Sequence, residues 1–224
     1  MYKGKKILAF IPARLGSKRI LKKNLKLLNG IPLFQYSVDL AKKSEYIDDV
    51  FVSTDSGEVM KISDELGCYK HGLRPKYLSD DDSRIIDVSL YEIKENNLEY
   101  DAIVLLQPTS PCRDLELLHN AIEKYFCYET SLVTVVKASE HPVFLRNIKN
   151  GKLEKLIGES SDIRSQDIKD VYKIIGCIYI NNVKLLNKNT ILNENEIPLV
   201  IDEKFAIDID YEEDFKRAEE VLKK

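Results

Sequence analysis

Lys6-Ile7-Leu8-Ala9-Phe10-Ile11 is an apolar run of strand length, and a loop rich in cations follows it directly, from Pro12 to about Gly30. An apolar run without alternation predicts a strand buried on both faces. Two similar runs follow at Val50–Ser53 and Ala102–Leu106. Because segments with helical spacing separate these strands, the sequence predicts an α/β fold, with a mostly parallel sheet covered by helices on both faces.

The remaining elements follow from spacing and from end signals. Pro32 favours the start of a helix, and Thr54-Asp55-Ser56 is typical of a cap for the next one. From the same spacing we expect these further elements: helices around 86–93, 114–125 and 211–222, and strands at 132–136 and 174–180.

Length and composition predict one domain over residues 1–224. The net charge of −3 provides no global field to attract nucleic acid or an anionic membrane. No apolar run approaches the roughly 20 residues that span a bilayer, and the four cysteines are scattered without a CxxC pair. We therefore expect a cytoplasmic protein with reduced thiols and with neither nucleic acid nor membrane as a partner.

Residues 137–172 interrupt the alternation of strands and helices. The stretch is polar, with short apolar pieces such as Val143-Phe144-Leu145. A structureless loop of this length is uncommon inside a compact domain. We interpret it as an inserted lobe or dimerisation arm, and we expect a homodimer.

The loop after the first strand concentrates positive charge around Gly16-Ser17. Five cations lie within ten residues: Arg14, Lys18, Arg19, Lys22 and Lys23. Backbone N–H groups of a flexible loop together with cations suit phosphate, although the loop is neither a Walker A motif nor GxGxxG. A solvated basic loop is the alternative, but the position at the carboxyl end of a buried strand favours an anion site.

Four motifs, in order along most of the chain, resemble those of the acylneuraminate cytidylyltransferases, which make CMP-sialic acid and related CMP-nonulosonic acids. The related Kdo cytidylyltransferases share the general plan, but the loop Gly16–Arg19 with Lys23-Asn24 is more similar to the acylneuraminate branch. The four motifs are Ile11–Arg19 with Lys23-Asn24, Val52-Ser53-Thr54-Asp55, Leu106–Pro111, and Ile207-Asp208-Ile209-Asp210 with Glu213-Asp214-Phe215.

The resemblance implies a Rossmann-like nucleotide-diphospho-sugar transferase fold with a small dimerisation excursion. It implies transfer of CMP from CTP to the anomeric hydroxyl of a nonulosonic acid (N-acylneuraminate, legionaminate or pseudaminate), with release of pyrophosphate and with Mg²⁺ as cofactor. It places Arg14, Ser17 and Lys18 on the triphosphate, with Lys23 and Asn24 assisting. Arg14, Lys18 and Lys23 are the candidate catalytic residues, because placed cations stabilise the charge on the leaving pyrophosphate.

Further site residues are implied in the same way. Arg74 and Ser83 are expected near the cytosine, although a salt bridge from Arg74 to Asp80, Asp81 or Asp82 is a serious alternative. The resemblance places five residues against the sugar: Gln107, Thr109, Ser110, Arg164 and Gln166. For the first three the alternative is turn chemistry at the end of a strand.

Asp208 and Asp210 are the candidate Mg²⁺ ligands. Two carboxylates one residue apart on an extended segment point to the same side, which suits a hard cation. Asp210 also precedes the last helix, with Glu213 three residues on, so it has an alternative role as an N-cap. An acidic residue between apolar neighbours is costly without a partner, and this consideration favours Asp208.

Two sugar-side positions depart from the family's pattern. Phe144 stands where a lysine is expected, with Arg146 close by, and Arg164 lies one residue earlier than in some relatives. These departures leave the identity of the sugar open. Two other functions also stay open: a glycosyltransferase that holds a nucleotide-sugar through Asp208-Ile209-Asp210, and a non-catalytic nucleotide-binding dimer.

Overall fold

The computed structural model describes residues 1–158 and 169–223, and it has the α/β architecture that the sequence predicts. The helices and strands of these residues, in chain order, are β1 (Ile7–Pro12), β2 (Leu27–Leu28), β3 (Ile31–Pro32), α1 (Leu33–Lys43), β4 (Asp49–Ser53), α2 (Gly57–Glu65), α3 (Ile85–Glu95), β5 (Ala102–Leu105), α4 (Leu115–Tyr128), β6 (Leu132–Lys137), β7 (Arg146–Lys149), β8 (Lys152–Lys155), β9 (Tyr172–Asn182), β10 (Ile197–Val200) and α5 (Glu212–Leu222).

The central sheet has the strand order β10-β6-β9-β5-β1-β4. β1 pairs in parallel with β4 and β5, and β10 pairs in parallel with β6. β9 alone among these strands runs antiparallel, to both β5 and β6. The carboxyl ends of β1, β4 and β5 therefore meet at one edge. The second half of β9 pairs with β5, and Tyr179 lies opposite Leu105 at the end of β5.

Side chains that alternate along β1 fill two separate cores. Ile7, Ala9 and Ile11 pack with residues of α1, α2 and α4 on one face. Leu8 and Phe10 pack on the other face with residues of α3 and the segment that follows it. All five side chains have no exposed surface, which confirms the prediction that helices cover both faces of the sheet.

Local signals in the sequence define where several helices begin. The side chain of Ser56 accepts a hydrogen bond from the backbone N–H of Val59 and caps α2. Asp114 caps α4 in the same way, through the N–H of Leu117, so the helix starts one residue later than predicted. α4 continues past the predicted end to Tyr128, where Glu129 takes a left-handed conformation. Propensity alone does not reveal such an end, because a non-glycine residue closes the helix.

The inserted segment 137–172 contains a short hairpin of its own. β7 and β8 pair only with each other among the described residues. Asn150 and Gly151 join them, both with positive φ, as a tight hairpin turn requires. Ile148 and Leu153 on this hairpin are 78% and 72% exposed. Residues 159–168 of the insertion lie outside the described part of the chain.

The structure can be compared with two predictions from the sequence, one on the cysteines and one on membrane-spanning segments. All four cysteines are free thiols, as predicted. In residues 1–158 and 169–223, no helix has the length and apolar character needed to cross a bilayer.

Candidate active site

A cleft of about 480 Å³ lies at the carboxyl edge of β1, β4 and β5. Most of the predicted site residues line it, although they come from four separate parts of the chain. Those in the lining are Arg14, Ser17, Lys18, Lys23, Asn24, Arg74, Ser83, Gln107, Thr109 and Asp210. This location agrees with the general rule that ligands bind beyond the carboxyl ends of parallel strands.

The second-strand motif supports the loop that carries the cations. The N–H of Leu15 donates to a carboxylate oxygen of Asp55 at 2.7 Å, and the N–H of Ala13 donates to the carbonyl of Ser53 at 2.8 Å. The side-chain amide of Asn24 donates to the carbonyl of Arg14 at 2.8 Å. Asn24 thus braces the base of the loop, in addition to lining the cleft.

Two carboxylates pair with the loop's cations. Asp81 contacts Arg14 at 2.9 Å and also binds Lys18. Asp210 binds Arg19 and lies 3.3 Å from the Nζ of Lys23. The hydrogen bond to Lys18, with that to Arg14, lowers the pKa of Asp81, and the bond to Asp81 raises the pKa of Lys18. Four cations thus share two acidic counter-ions along one wall of the cleft.

Lys23 connects the first loop to the C-terminal segment. Its Nζ donates to the carbonyl of Ile209 at 2.6 Å as well as to Asp210. The side chain is only 13% exposed, in contrast to Lys18 at 80%. Because a buried ammonium needs several acceptors, Lys23 holds these two segments together beside the cleft that it lines.

Arg74 is buried and does not form the predicted salt bridge with the acidic run at 80–82. Its guanidinium donates to the hydroxyl and the carbonyl of Ser53 and to the carbonyl of Leu78. The hydroxyl of Ser53 in turn donates to the buried carboxylate of Glu92. Burial lowers the pKa of Arg74, and the charges of Asp55 and Glu92 oppose that shift. The salt-bridge alternative is wrong because Asp81 pairs with Arg14 and Lys18 instead.

The residues predicted to contact the sugar have different surroundings. Gln107 lines the cleft and also a second cavity of about 330 Å³ with Tyr179 and Asn193. Thr109 lines the cleft, and its carbonyl accepts from the N–H of Ile209 at 2.7 Å. Ser110 has no exposed surface, and its hydroxyl has no partner among the described residues. The burial of Ser110 does not fit a direct contact with a sugar.

The two candidate metal ligands differ in position. Asp210 lines the cleft, whereas Asp208 is exposed and lies close enough to Tyr179 to contribute to the raised pKa of that phenol, which burial mainly causes. The expectation that favoured Asp208 over Asp210 therefore has no support from the geometry. The alternative that Asp210 caps α5 is wrong, because the carboxylate of Asp214 accepts the N–H groups of Asp210 and Tyr211.

The described residues contain no group of three or more His, Cys, Asp or Glu side chains arranged to hold a metal.

Two of the residues predicted to contact the sugar, Arg164 and Gln166, lie outside the described residues. Arg146 donates to the carbonyls of Val143 and Leu145, within its own loop, and Phe144 is half exposed.

Sequence reasoning missed the role of Asp81 and Arg19 in this cleft. Arg19 belongs to the first motif, but its charge alone does not distinguish it from the other cations of the loop. Asp81 was considered only as a partner of Arg74, eight positions or fewer away. The usable signal is the run of three acidic residues at 80–82, because such a run is attracted to the cluster of five cations in the first loop once the fold brings the two loops together.

A cleft at the carboxyl edge of a parallel α/β sheet, lined by cations together with amide and hydroxyl groups, is typical of nucleotide-binding proteins. The chain belongs to the cytidylyltransferase family, since the family model described as "Cytidylyltransferase" matches residues 8–218. It is therefore a nucleotidyltransferase, and the resemblance inferred from the four motifs is confirmed.

Individual relatives agree with this assignment. The chain is 33% identical to the CMP-N,N'-diacetyllegionaminic acid synthase of Legionella pneumophila, over 97% of the chain and 96% of that protein. It is 30% identical to an N-acylneuraminate cytidylyltransferase of Streptococcus agalactiae, over 94% of the chain and 52% of that protein. The solved structure of a CMP:2-keto-3-deoxy-manno-octonic acid synthetase complexed with CTP has the same fold, with a TM-score of 0.72 at 16% identity over 97% of this chain and 98% of that one.

Proposed function

We propose that this cytidylyltransferase transfers CMP from CTP to the anomeric hydroxyl of a nonulosonic acid, releasing pyrophosphate. The observation that carries the proposal is the cleft itself, because its lining combines cations for a triphosphate with Gln107 and Thr109 for a polar acceptor. The names of the relatives give the class of acceptor: N-acylneuraminate or legionaminate, with pseudaminate as a further candidate.

The basic loop acts on the leaving group in this reaction. The sugar hydroxyl loses its proton to solvent and forms a bond to the α-phosphorus, while the bond from that phosphorus to the bridging oxygen of the β-phosphate breaks and pyrophosphate leaves. Arg14, Lys18 and Lys23 stabilise the charge that develops on pyrophosphate, since cations fixed in advance need no rearrangement at that moment. Binding of the triphosphate replaces Asp81 as the partner of Arg14 and Lys18.

Different residues would contact the base and the acceptor. Arg74 donates three hydrogen bonds to described residues, and a guanidinium has five N–H groups. The two others are donors for the cytosine edge, where a buried donor without an acceptor penalises the wrong base. Gln107 lines both the cleft and the second cavity, and this position supports a contact between its amide and an acceptor with several hydroxyl and acylamino groups.

Mg²⁺ is part of the proposal, with Asp210 as the first ligand and Asp208 as the second. Asp210 lies on the cleft wall beside Lys23, and Mg²⁺ commonly binds to one or two carboxylates together with substrate phosphates, without a protein cage. When bound, the ion would polarise the α-phosphate. We expect Asp210→Ala to lose Mg²⁺-dependent turnover more completely than Asp208→Ala, in contrast to the order that the sequence favours.

The homodimer and the cytoplasmic location also stay proposals. The exposed apolar residues of the β7–β8 hairpin, Ile148 and Leu153, support a contact between subunits.

The glycosyltransferase alternative has lost its basis, because Asp210 pairs with the cations of the first loop and the family is that of cytidylyltransferases.

The test is pyrophosphate release from CTP and Mg²⁺ with a panel of acceptors: N-acetylneuraminate, legionaminate, pseudaminate and the shorter 2-keto-3-deoxyoctonate. We expect release with at least one of the three nonulosonic acids, and little with UTP in place of CTP. Reactions without an acceptor are the control for hydrolysis. Release with the octonate alone, or with none of the panel, would overturn the proposed acceptor class.

A further inference from the structure

Gly176 lies in β9 where this strand passes the end of β5. Leu105 pairs with Tyr179 in the antiparallel register, so β9 runs beside Gln107 as the chain leaves β5. A Cβ atom added to Gly176 would lie 2.1 Å from Oε1 of Gln107 and 3.2 Å from its Cδ. Real Cβ atoms do not approach other atoms this closely, so the amide of Gln107 occupies space that any other residue at position 176 would take.

The backbone of Gly176 gives no separate reason for glycine. It is not among the residues with positive φ, so an alanine there has no conformational strain. Glycine inside a strand is unfavourable, because it loses more backbone freedom on folding and packs no side chain. The close approach of Gln107 is therefore the physical reason for glycine at this position.

The main chain of Gln107 is not free to move away. The buried guanidinium of Arg113 donates to the carbonyl of Gln107 at 2.8 Å and to the carbonyl of Cys177, beside Gly176, at 2.7 Å. Arg113 thus fastens the end of β5 to β9, and Pro108 restricts the backbone of Gln107 further. If the space above Gly176 is filled, only the side chain of Gln107 can rotate, because its backbone is held from both sides.

We propose that Gly176 is a positioning residue that sets the place of the Gln107 amide, and thereby the choice of acceptor. The amide borders both cavities, so its rotation changes which hydrogen-bonding groups face the acceptor. The inference rests on the proposed function in one respect, namely that Gln107 contacts the acceptor. Gly176 itself touches no substrate and acts only through Gln107.

The test is Gly176→Ala, with steady-state kinetics for both substrates. We expect KM for the acceptor to rise roughly five- to fiftyfold, the range that one lost hydrogen bond to a ligand gives. KM for CTP and the urea midpoint should change little, because the added methyl meets only a side-chain end. Gly57→Ala is the matched control: Gly57 also lacks positive φ and has no atom within 4 Å of an added Cβ, so both KM values should stay at the wild-type level.

The same substitution in a Gln107→Ala background shows whether the effect passes through Gln107. We expect no additional rise in the acceptor KM there, because the side chain that is displaced is absent. An equal rise in both backgrounds would overturn the inference, as would an unchanged KM in Gly176→Ala while Gln107→Ala raises it. If Gln107→Ala itself has no effect on any acceptor, the assignment of Gln107 in the proposed function fails, and the inference fails with it.

Stability provides a second reading if Gly176→Ala does not fold. The double variant Gln107→Ala with Gly176→Ala removes the crowding, so it should fold and show a cooperative urea transition near that of Gln107→Ala. A double variant that also fails to fold would overturn the inference, because glycine would then be needed by the strand and not by the amide.

Discussion

Replacing Arg74 by lysine tests whether the guanidinium holds the wall of the cleft. Arg74 donates to the Ser53 hydroxyl at 3.0 Å, to the Leu78 carbonyl at 3.3 Å and to the Ser53 carbonyl. A lysine ammonium is a single point donor and can keep one of these bonds. Each lost bond from a charged donor contributes about 1.5–3 kcal/mol, and water from the cleft recovers part of it, so we expect the free energy of unfolding to fall by about 3 kcal/mol.

Urea denaturation measures this loss. With an m-value of about 3 kcal/mol/M for a chain of this size, the midpoint of Arg74→Lys should fall by about 1 M. KM for CTP should rise roughly tenfold, since the donors toward the base lose their fixed geometry. Asp82→Asn is the control and should leave the midpoint unchanged, because Asp82 has no salt bridge with Arg74. A midpoint within about 0.2 M of wild type together with an unchanged KM would refute the reasoning.

Three more predictions follow from the structure. Lys23→Met should lower kcat/KM for CTP by about 10²-fold, the scale of losing one fixed charge-stabilising donor, while Lys23→Arg retains a larger part; equal activity in both would contradict a role for the charge. Ile148→Glu should shift the protein toward monomer in sedimentation velocity, and an unchanged species would show that the β7–β8 hairpin lies outside the subunit contact. Iodoacetamide at pH 8 should label Cys127 alone in the native protein, because burial raises the pKa of Cys68 and Cys112 to about 11 and that of Cys177 to about 12. Unfolded thiols ionise near pH 8.5, so the free energy of unfolding should fall as the pH rises from 8 to 10.

The parallel part of the sheet could be predicted because its strands are short, continuous apolar runs. β1, β4 and β5 each coincide with a predicted strand to within one residue at either end. The place of β9 could not be predicted, because an antiparallel strand between β5 and β6 arises from where the insertion returns the chain and not from the strand's own residues. The short strand β10 was not predicted either, since it contains Pro198 and its side chains are only partly covered.

In the candidate site, too, some features could be predicted from the sequence and others could not. The cations of the first loop, Arg74 and Gln107 were found through their order along the chain, and they do meet in one cleft. The pairing of Asp81 with Arg14 depends on how the loop that carries Asp81 packs against the first loop. A local sequence pattern cannot predict this packing. Ser110 shows the reverse case, because it directly follows the cleft residue Thr109 but has its hydroxyl buried in the interior.

The paired carboxylates of Asp81 and Asp210 have a consequence for which anions the cleft retains. The two carboxylates act as counter-ions for four cations. The binding free energy of an anion is therefore only the difference between its interaction with these cations and the interaction of the carboxylates that it displaces. A single phosphate can pair with only some of the four cations, whereas a triphosphate can replace both carboxylates at once. The same exchange in reverse lets the carboxylates return as pyrophosphate departs, so the cleft competes with its own product for its cations.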